Sequence, residues 1–540
     1  MLIGTCTGLL VVSFHASIEL LAFAAADRAT SLPMRVMLPA MGAALAALFV
    51  YYVAPAGRGS GIVHTKAAIY VSDGRVPVGA IPGKFVACTL SIGTGTPLGP
   101  EDPSLAMGAA MASALGRVFR LSQRSMRQVT PIGAAAGIAA AFNTPITGVL
   151  FVIEEVVAAW DAAVLGSIVL SAVSAVVTTR VFLGDAPLLR LPEFTAMVDV
   201  REVAVFAILG LAAGLLATAY VRGVAAVRHR LAAARLPAGV GPLLAGAMVG
   251  CVGLWYPEVL GTGYRAMDAA LHDQYPWSTL ALLGLAKLLV AAAAFGAGSP
   301  GGLFAPTLFL GAMLGGTIGS LSATTLPISL TPVSSYVLVG MASIFAGVFR
   351  APMTAIFMAF ELSSTSAVIV PAMIGATVAF LTARQLHRTS LLDLVAEDEG
   401  VVLPSARSQR EAEVLRIEQA MRAWDAPVFD GANAVADVRD GLERTLAPFA
   451  LIRGSSGQWF GITSAAIAAD AGRMERSIAE HAALDALRVA HPDEPVDVAL
   501  RYLARQPVVP VVSRVDESLL RGVVTLDTVH EAYRLLEDVE

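Results

Sequence analysis

Apolar runs recur along the chain at about 3–26, 33–54, 130–153, 160–180, 202–220, 239–255, 278–296, 303–320, 335–348 and 366–383. A bilayer helix needs ~20 residues, so the longer runs read as spanning helices and the short or Pro-interrupted ones as helices broken inside the membrane. Broken helices survive there only when buried in protein or lining a wet cavity, because lipid satisfies no free N–H or C=O. The pattern therefore predicts an all-α polytopic, multi-pass membrane protein built for transport rather than an anchor. The opening MLIGTCTGLLVV has no basic leader and no small-residue cleavage site, and reads as a membrane helix. Near Asp393 the long apolar runs stop and charges become dense, which predicts a membrane domain over 1–395 and a second domain over 396–540.

The membrane part is duplicated. GAAAGIAAAFNTPITGVLFVIEE from Gly133 returns without a gap as GMASIFAGVFRAPMTAIFMAFEL from Gly340, an offset of 207 (340 − 133) that pairs Pro145 with Pro352, Thr147 with Thr354 and Glu154 with Glu361. GPEDPSLAMGA from Gly99 matches GLFAPTLFLGA from Gly302, and GSG at Gly59 matches GTG at Gly261. Collinear, Gly/Pro-interrupted apolar segments in two halves are the mark of a transporter whose site lies between inverted-topology repeats, here about 1–185 and 200–390. The tail repeats itself as well. FALIRGSSGQWFGITSAAIA from Phe449 and VVPVVSRVDESLLRGVVTLDTVHEAY from Val508 both read strand, turn, strand, helix, with Gly461 matching Gly522. This predicts a paired α/β tail.

Composition agrees with lipid burial: 56% of residues are hydrophobic and only 15% charged, against about 25% charged in soluble domains. Cys6, Cys88 and Cys251 are scattered in apolar sequence, and the eight histidines form no ligand pattern. Neither a metal, a cofactor, a nucleic acid nor an enzymatic reaction is expected. The chemistry instead sits at broken helix ends. In GTGTPLGPEDPSLAMGA, Pro103 suits the first helical position and Asp102 its cap, which puts Glu101 at a helix N-terminus. In SPGGLFAPTLFLGAM, Pro306 plays the same part, and the N–H groups of Leu303 and Phe304 become free donors. In AGRGSGIVH, Gly59 and Gly61 allow close backbone approach and Ser60 offers a hydroxyl. Helix N-termini carry partial positive charge and unpaired N–H groups, so they attract anions without Lys or Arg. The expected substrate is a small anion. Glu101 is a carboxylate placed where that anion should bind: ionised it fills the site, protonated it can swing out, so one residue links proton to anion. A charge near the bilayer centre costs at least ~2.5–3.5 kcal/mol, which argues for function. Structural alternatives stand beside these readings: dipole stabilisation for Glu101, a simple cap for Asp102 and a turn hydroxyl for Ser60.

These residues resemble the CLC family of chloride channels and chloride/proton antiporters. GSGI at Gly59 is similar to the family's GSGIP, GPEDP at Gly99 to its GREGP, GLFAP at Gly302 to its GxFxP, and AAFNTPITGVLFVIEE to its helix after the first proline; Lys84 in PGKF falls at a family lysine. The resemblance covers about 1–395, and the tail resembles the family's paired CBS domains. It implies a CLC fold and a homodimer with one pathway per subunit, in the plasma (inner) membrane with a cytoplasmic tail. It also implies Glu101 as gating glutamate and an anion site from Gly59, Ser60, Gly61, Ile62, Gly302, Leu303 and Phe304. Glu155 falls at the inner proton glutamate of the antiporters, although Glu154 and Glu155 also fit the wet end of a helix.

Departures from the family pattern matter as much. GREGP has become GPEDP, Val63 replaces a proline, and the inner-gate tyrosine position reads Leu392 in Ser390-Leu391-Leu392-Asp393. Leucine donates no hydrogen bond, so weaker central anion binding and loose coupling are expected. The chain also reads as starting at the second family helix. Chloride/proton antiport across a bilayer is the reading, with a passive chloride channel of the same fold or a non-transporting sensor signalling through its tail as alternatives. In the tail, the Asp that holds ribose in nucleotide-binding CBS repeats is absent: Thr463 is followed by Ala466 and Thr525 by Thr528, with Asp527 one residue early. Adenine nucleotide binding is not expected.

Overall fold

The computed structural model describes residues 1–540 apart from 71, 158–161, 185–201, 235, 326–331, 388, 402–414, 446–448, 455–457, 470–474, 481–483, 504–505 and 538–540. The chain forms two units, Met1–Leu403 and Pro404–Glu540. The first half of the membrane unit runs through α1 (Leu2–Arg28), α2 (Leu32–Tyr52), α3 (Gly61–Tyr70), α4 (Ala80–Gly93), α5 (Glu101–Val118), α6 (Gln123–Phe142), α7 (Pro145–Phe151) and α8 (Ala162–Leu183). The second runs through α9 (Glu202–Ala234), α10 (Val240–Gly253), α11 (Tyr264–Leu271), α12 (Trp277–Gly296), α13 (Phe304–Thr325), α14 (Val333–Phe349), α15 (Pro352–Ser363) and α16 (Ile369–Leu386), and α17 (Leu391–Asp398) follows.

The two halves pack alike, helix for helix. α5 lies on α6 as α13 lies on α14; α6 meets α8 as α14 meets α16; α1 meets α8 as α9 meets α16. Small residues make the tightest of these crossings possible. A Cβ on Gly108 would strike the carbonyl of Gly133 between α5 and α6, and one on Gly311 would strike that of Gly340 between α13 and α14. Close backbone approach of this kind is how helices associate where no hydrophobic driving force separates protein from lipid. Between the halves, α2 packs on α10 and α7 on α15, each against its own counterpart. Self-complementary contacts of this kind are the signature of two-fold symmetry.

Among the described residues, seven helices are long and apolar enough to cross a membrane: α1, α2, α8, α9, α12, α13 and α16. Large apolar side chains such as Leu20 and Phe23 on α1 and Leu289 on α12 point outward, as lipid-facing positions do. α14 lies at the other extreme, buried along nearly its whole length. Pro145 interrupts the apolar run 130–153: α6 ends at Asn143, which is left-handed (φ 58°), and α7 restarts at Pro145. Arg350 (φ 63°) and Pro352 repeat that break between α14 and α15. Proline at the first helical position has no N–H to lose, so it makes a natural restart.

The tail unit has its own cores. Its elements are α18 (Ile417–Ala420), β1 (Val428–Asp430), α19 (Val435–Thr445), β2 (Phe449–Arg453), β3 (Trp459–Thr463), α20 (Ser464–Ala469), β4 (Asp485–Leu487), α21 (Val496–Leu503), β5 (Val509–Val512), β6 (Leu520–Val524) and α22 (Leu526–Glu537). β1 pairs parallel to β2, while β2–β3, β3–β4 and β5–β6 are antiparallel. The repeated strand–turn–strand–helix of the sequence is thus β2–β3–α20 and β5–β6–α22. Phe449, Leu451 and Trp459 of the first sheet share a core with Val508, Val512 and Val523 of the second.

Candidate functional site

The starts of α5 and α13 are tied together. Gly99 and Gly302 exchange two backbone hydrogen bonds of 2.8 Å, so the loops entering these helices run antiparallel and bring both N-termini to one point. Glu101 is the first residue of α5 and Phe304 the first of α13, and both are buried. One carboxylate oxygen of Glu101 accepts a hydrogen bond from the hydroxyl of Tyr264, the first residue of α11. The other is buried and has no hydrogen-bond partner among the described residues. Among the described residues, no group accepts from the N–H of Leu303 or Phe304. A ring cluster of Phe142, Phe151, Phe345 and Phe349 packs around Phe304, stacked at 4.6 Å on Phe349, and fixes the start of α13.

Asp102 does something its sequence position conceals. α5 begins at Glu101 rather than Pro103, and the Asp102 side chain does not cap its own helix. It reaches across to α3, where it accepts from the N–H of Gly61 (2.9 Å), the N–H of Ile62 (2.8 Å) and the hydroxyl of Ser60 (3.3 Å). The free N–H groups at a helix start and the positive end of its dipole recruit any nearby anion. A carboxylate built into the chain is already there. Three of the donors expected to hold a substrate anion are therefore engaged by Asp102. Of the others, Gly302 donates its N–H to Gly99, and the N–H of Ser60 goes to Glu399 (3.1 Å). Leu303 and Phe304 keep theirs. Leu392, Ser60, Ile62, Asp102, Leu303 and Phe304 line one small cavity, to which Leu392 contributes an alkyl group.

Two buried lysines order the loops by the same device in each half. Lys84 on α4 donates to the carbonyl of Gly59, and Lys287 on α12 donates to the carbonyls of Gly261 (2.7 Å) and Val259 (2.8 Å). Lys287 also lies 4.8 Å from the ring centre of Phe309. A buried ammonium is retained only when its protons are satisfied, and here the loop carbonyls accept them.

The two glutamates after α7 divide their work. Glu154 accepts from the N–H of Met353 (3.1 Å), the N–H of Thr354 (2.8 Å) and the Thr354 hydroxyl (2.7 Å), capping α15 of the other half. Glu361 returns the contact on α7, accepting from the N–H of Ile146 and Thr147 and from the Thr147 hydroxyl at 2.6–2.8 Å. Glu155 is not a cap: it pairs with Lys66 on α3 at 2.7 Å. No group of His, Cys, Asp and Glu among the described residues could hold a metal ion.

Four participants were not visible to sequence reasoning: Tyr264, Lys66, Lys287 and Glu399. Lys287 carried a signal, since it stands 203 residues after Lys84 (287 − 84), the offset that relates Gly99 to Gly302.

The chain was compared with known proteins. The voltage gated chloride channel family matches residues 42–384. A ClcB-like protein of Ralstonia nicotianae is 33% identical over 426 residues, 75% of this chain and 98% of that one. The H(+)/Cl(-) exchange transporter ClcA of Vibrio cholerae is 29% identical over 405 residues, 72% and 86% of the respective chains. Among solved structures, a slow cyanobacterial Cl-/H+ antiporter aligns with TM-score 0.67 at 25% identity, covering 74% of this chain and 96% of that one. A eukaryotic CLC transporter aligns with TM-score 0.65 at 19% identity over 98% of this chain and 96% of that one. The fold is the CLC fold, in a multi-pass integral membrane protein. With duplicated halves, paired helix starts and a family match over most of its membrane unit, the chain belongs to the voltage gated chloride channel family.

Proposed function

We propose that this protein exchanges chloride for protons across a membrane, with Glu101 as the gate. The observation that carries the reading is the buried Glu101 carboxylate at the joined N-termini of α5 and α13, beside the unengaged N–H groups of Leu303 and Phe304. Ionised, the carboxylate is held by those helix ends and by the Tyr264 hydroxyl, and it occupies the route. Protonation removes the charge that the helix ends attract, the side chain leaves, and an anion takes its place. Each anion passage is then linked to proton occupancy of one residue. Chloride at the centre would be held by the N–H groups of Leu303 and Phe304 together with Ser60, in competition with Asp102. The relatives named H(+)/Cl(-) exchange transporters support chloride and proton as the exchanged ions.

Glu155 is the proposed inner proton carrier, kept at the end of its route by Lys66. Leu392 gives the inner gate no hydroxyl, which supports loose coupling. The same residue is the observation that favours a second reading, passive chloride conduction. A homodimer in the plasma (inner) membrane, with the tail as a CBS-like pair on the cytoplasmic side, completes the proposal. In that tail Thr463 and Thr525 act as helix caps, accepting from the N–H of Ala466 and Thr528 at 3.3 Å, so neither repeat offers a ribose carboxylate and no adenine nucleotide is proposed. The test is Glu101→Gln in liposomes: chloride flux should persist, and its pH dependence and proton coupling should vanish. Undiminished proton flux in this variant would remove Glu101 from its role.

A further inference from the structure

Ser60 is held by carboxylates on two sides. Its hydroxyl meets Asp102, and its N–H donates to Oε1 of Glu399 at 3.1 Å. Glu399 directly follows α17, at the end of the membrane unit where the chain leaves for the tail. Its carboxylate lies so close on Gly59 that a Cβ there would overlap it, at 2.5–2.8 Å from its atoms. Gly59 has φ 68°, a left-handed backbone that brings its face and the Ser60 N–H into the open. Two side chains from other helices approach the carboxylate. His64 Nε2 on α3 lies 3.2 Å from Oε2, and Arg228 on α9 lies 3.9 Å from Oε1 while its main partner is Asp398 at 2.8 Å. Oε2 faces His64, and among the described residues the loop holds Glu399 through the one hydrogen bond from the Ser60 N–H.

The seat is made for an anion. It offers a loop N–H whose acceptor is the Glu399 side chain, a glycine surface without a side chain, and the nearby nitrogens of His64 and Arg228, and Ser60 itself also lines the central cavity. We infer that Glu399 is a tail-side gate, whose carboxylate occupies the Ser60 N–H as a built-in competitor that an entering anion must displace. This rests on the chloride reading above. It gives the molecule a carboxylate at each stage of the route: Glu101 at the joined helix starts, Asp102 at the centre, Glu399 at the tail-side mouth. It also offers an answer to how a pathway with Leu392 in place of a hydroxyl closes at that end: a competing charge does the work that a hydrogen-bonding side chain would otherwise do.

An internal competitor lowers apparent affinity by the fraction of time the seat is free, so its removal should tighten chloride binding. The experiment uses the full chain with Glu399→Ala and Glu399→Gln. Chloride Kd is measured by calorimetry in detergent, and chloride flux in liposomes is measured across a range of chloride concentrations. Glu399→Ala should lower Kd and half-saturating chloride together, by roughly three- to tenfold on the population argument. Glu399→Gln keeps the shape and one weak acceptor and should fall between Ala and the native chain, which also covers the case in which the Ala variant fails to fold. If wild type binds and carries chloride and both parameters are unchanged in the folded variants, Glu399 only anchors the end of α17 and the gate is overturned while the chloride reading stands. If neither wild type nor variants bind or carry chloride, both readings fall.

Discussion

Asp102 shows what one substitution at a helix start can do. It sits beside Glu101 on α5, yet its carboxylate answers the donors of α3. Charge-assisted hydrogen bonds of this kind contribute about 1.5–3 kcal/mol each at most, and leaving the buried donors empty costs about 1–3 kcal/mol. Asp102→Gly should therefore lower thermal stability in chloride-free buffer. Chloride should then restore it more strongly than in the native chain, because a ligand that takes the vacated donors stabilises in proportion to its occupancy. Melting curves with and without chloride check this, and an equal chloride response in both proteins would show that the donors are not an anion site. At this scale the sequence exposed Glu101, Ser60 and the free N–H groups of Leu303 and Phe304, because helix-start signals and proline positions are local. It hid the partners. Asp102 was read as a cap for its own helix because spacing along one helix says nothing about which neighbouring helix a carboxylate faces. Tyr264 stands 163 positions from Glu101 and Glu399 stands 339 from Ser60, so their contacts come from tertiary folding alone.

Among the elements, the exchanged caps of α7 and α15 hold the two halves to one another. Glu154 and Glu361 each satisfy two N–H groups and a threonine hydroxyl across the pseudo-two-fold. Glu155, one residue on, faces Lys66 instead. Adjacent glutamates thus belong to different chemistries, and their variants should separate. Glu154→Ala leaves the part-buried N–H and hydroxyl of Thr354 without their acceptor, at a cost of up to about 1–3 kcal/mol, and should lower the melting temperature while the surviving protein still couples protons to chloride. Glu155→Gln should leave the melting temperature close to native and stop proton movement while chloride continues. Paired thermal melts and dual-ion flux measurements decide it. Loss of both fluxes in folded Glu155→Gln would make Glu155 structural. The apolar runs and the 207-residue repeat made the duplicated helical plan legible in advance, because lipid-facing helices and their breaks leave long, periodic marks. Pro145 marks a break inside 130–153, but the left-handed turn at Asn143 that ends α6 adds no charge and leaves no local mark of its own.

For the whole molecule, duplication and charge placement act together. Two halves of similar sequence meet about a pseudo-two-fold, and that symmetry brings four helix starts, two buried lysines and the carboxylates of Glu101 and Asp102 to the middle of the unit. The attractive groups are backbone dipoles, which are fixed, whereas the competing carboxylates are side chains, which can move. On the proposed mechanism, anions pass by exchanging with these charges, and each exchange at Glu101 needs a proton. The tail carries the same economy of duplication in a different class of fold, with its two strand–turn–strand–helix units sharing the core around Trp459 and Val512.

Coupling between the two ions is the central claim, and uphill transport tests it most directly. Liposomes containing the full-length protein and high chloride are placed in low-chloride medium without a pH gradient, with a potassium ionophore to compensate charge. Chloride leaving down its gradient should draw protons inward, so the outside medium should turn alkaline, and a protonophore should collapse the change. Chloride efflux at the same rate with no change in external pH would contradict the account and make the protein a passive chloride pathway.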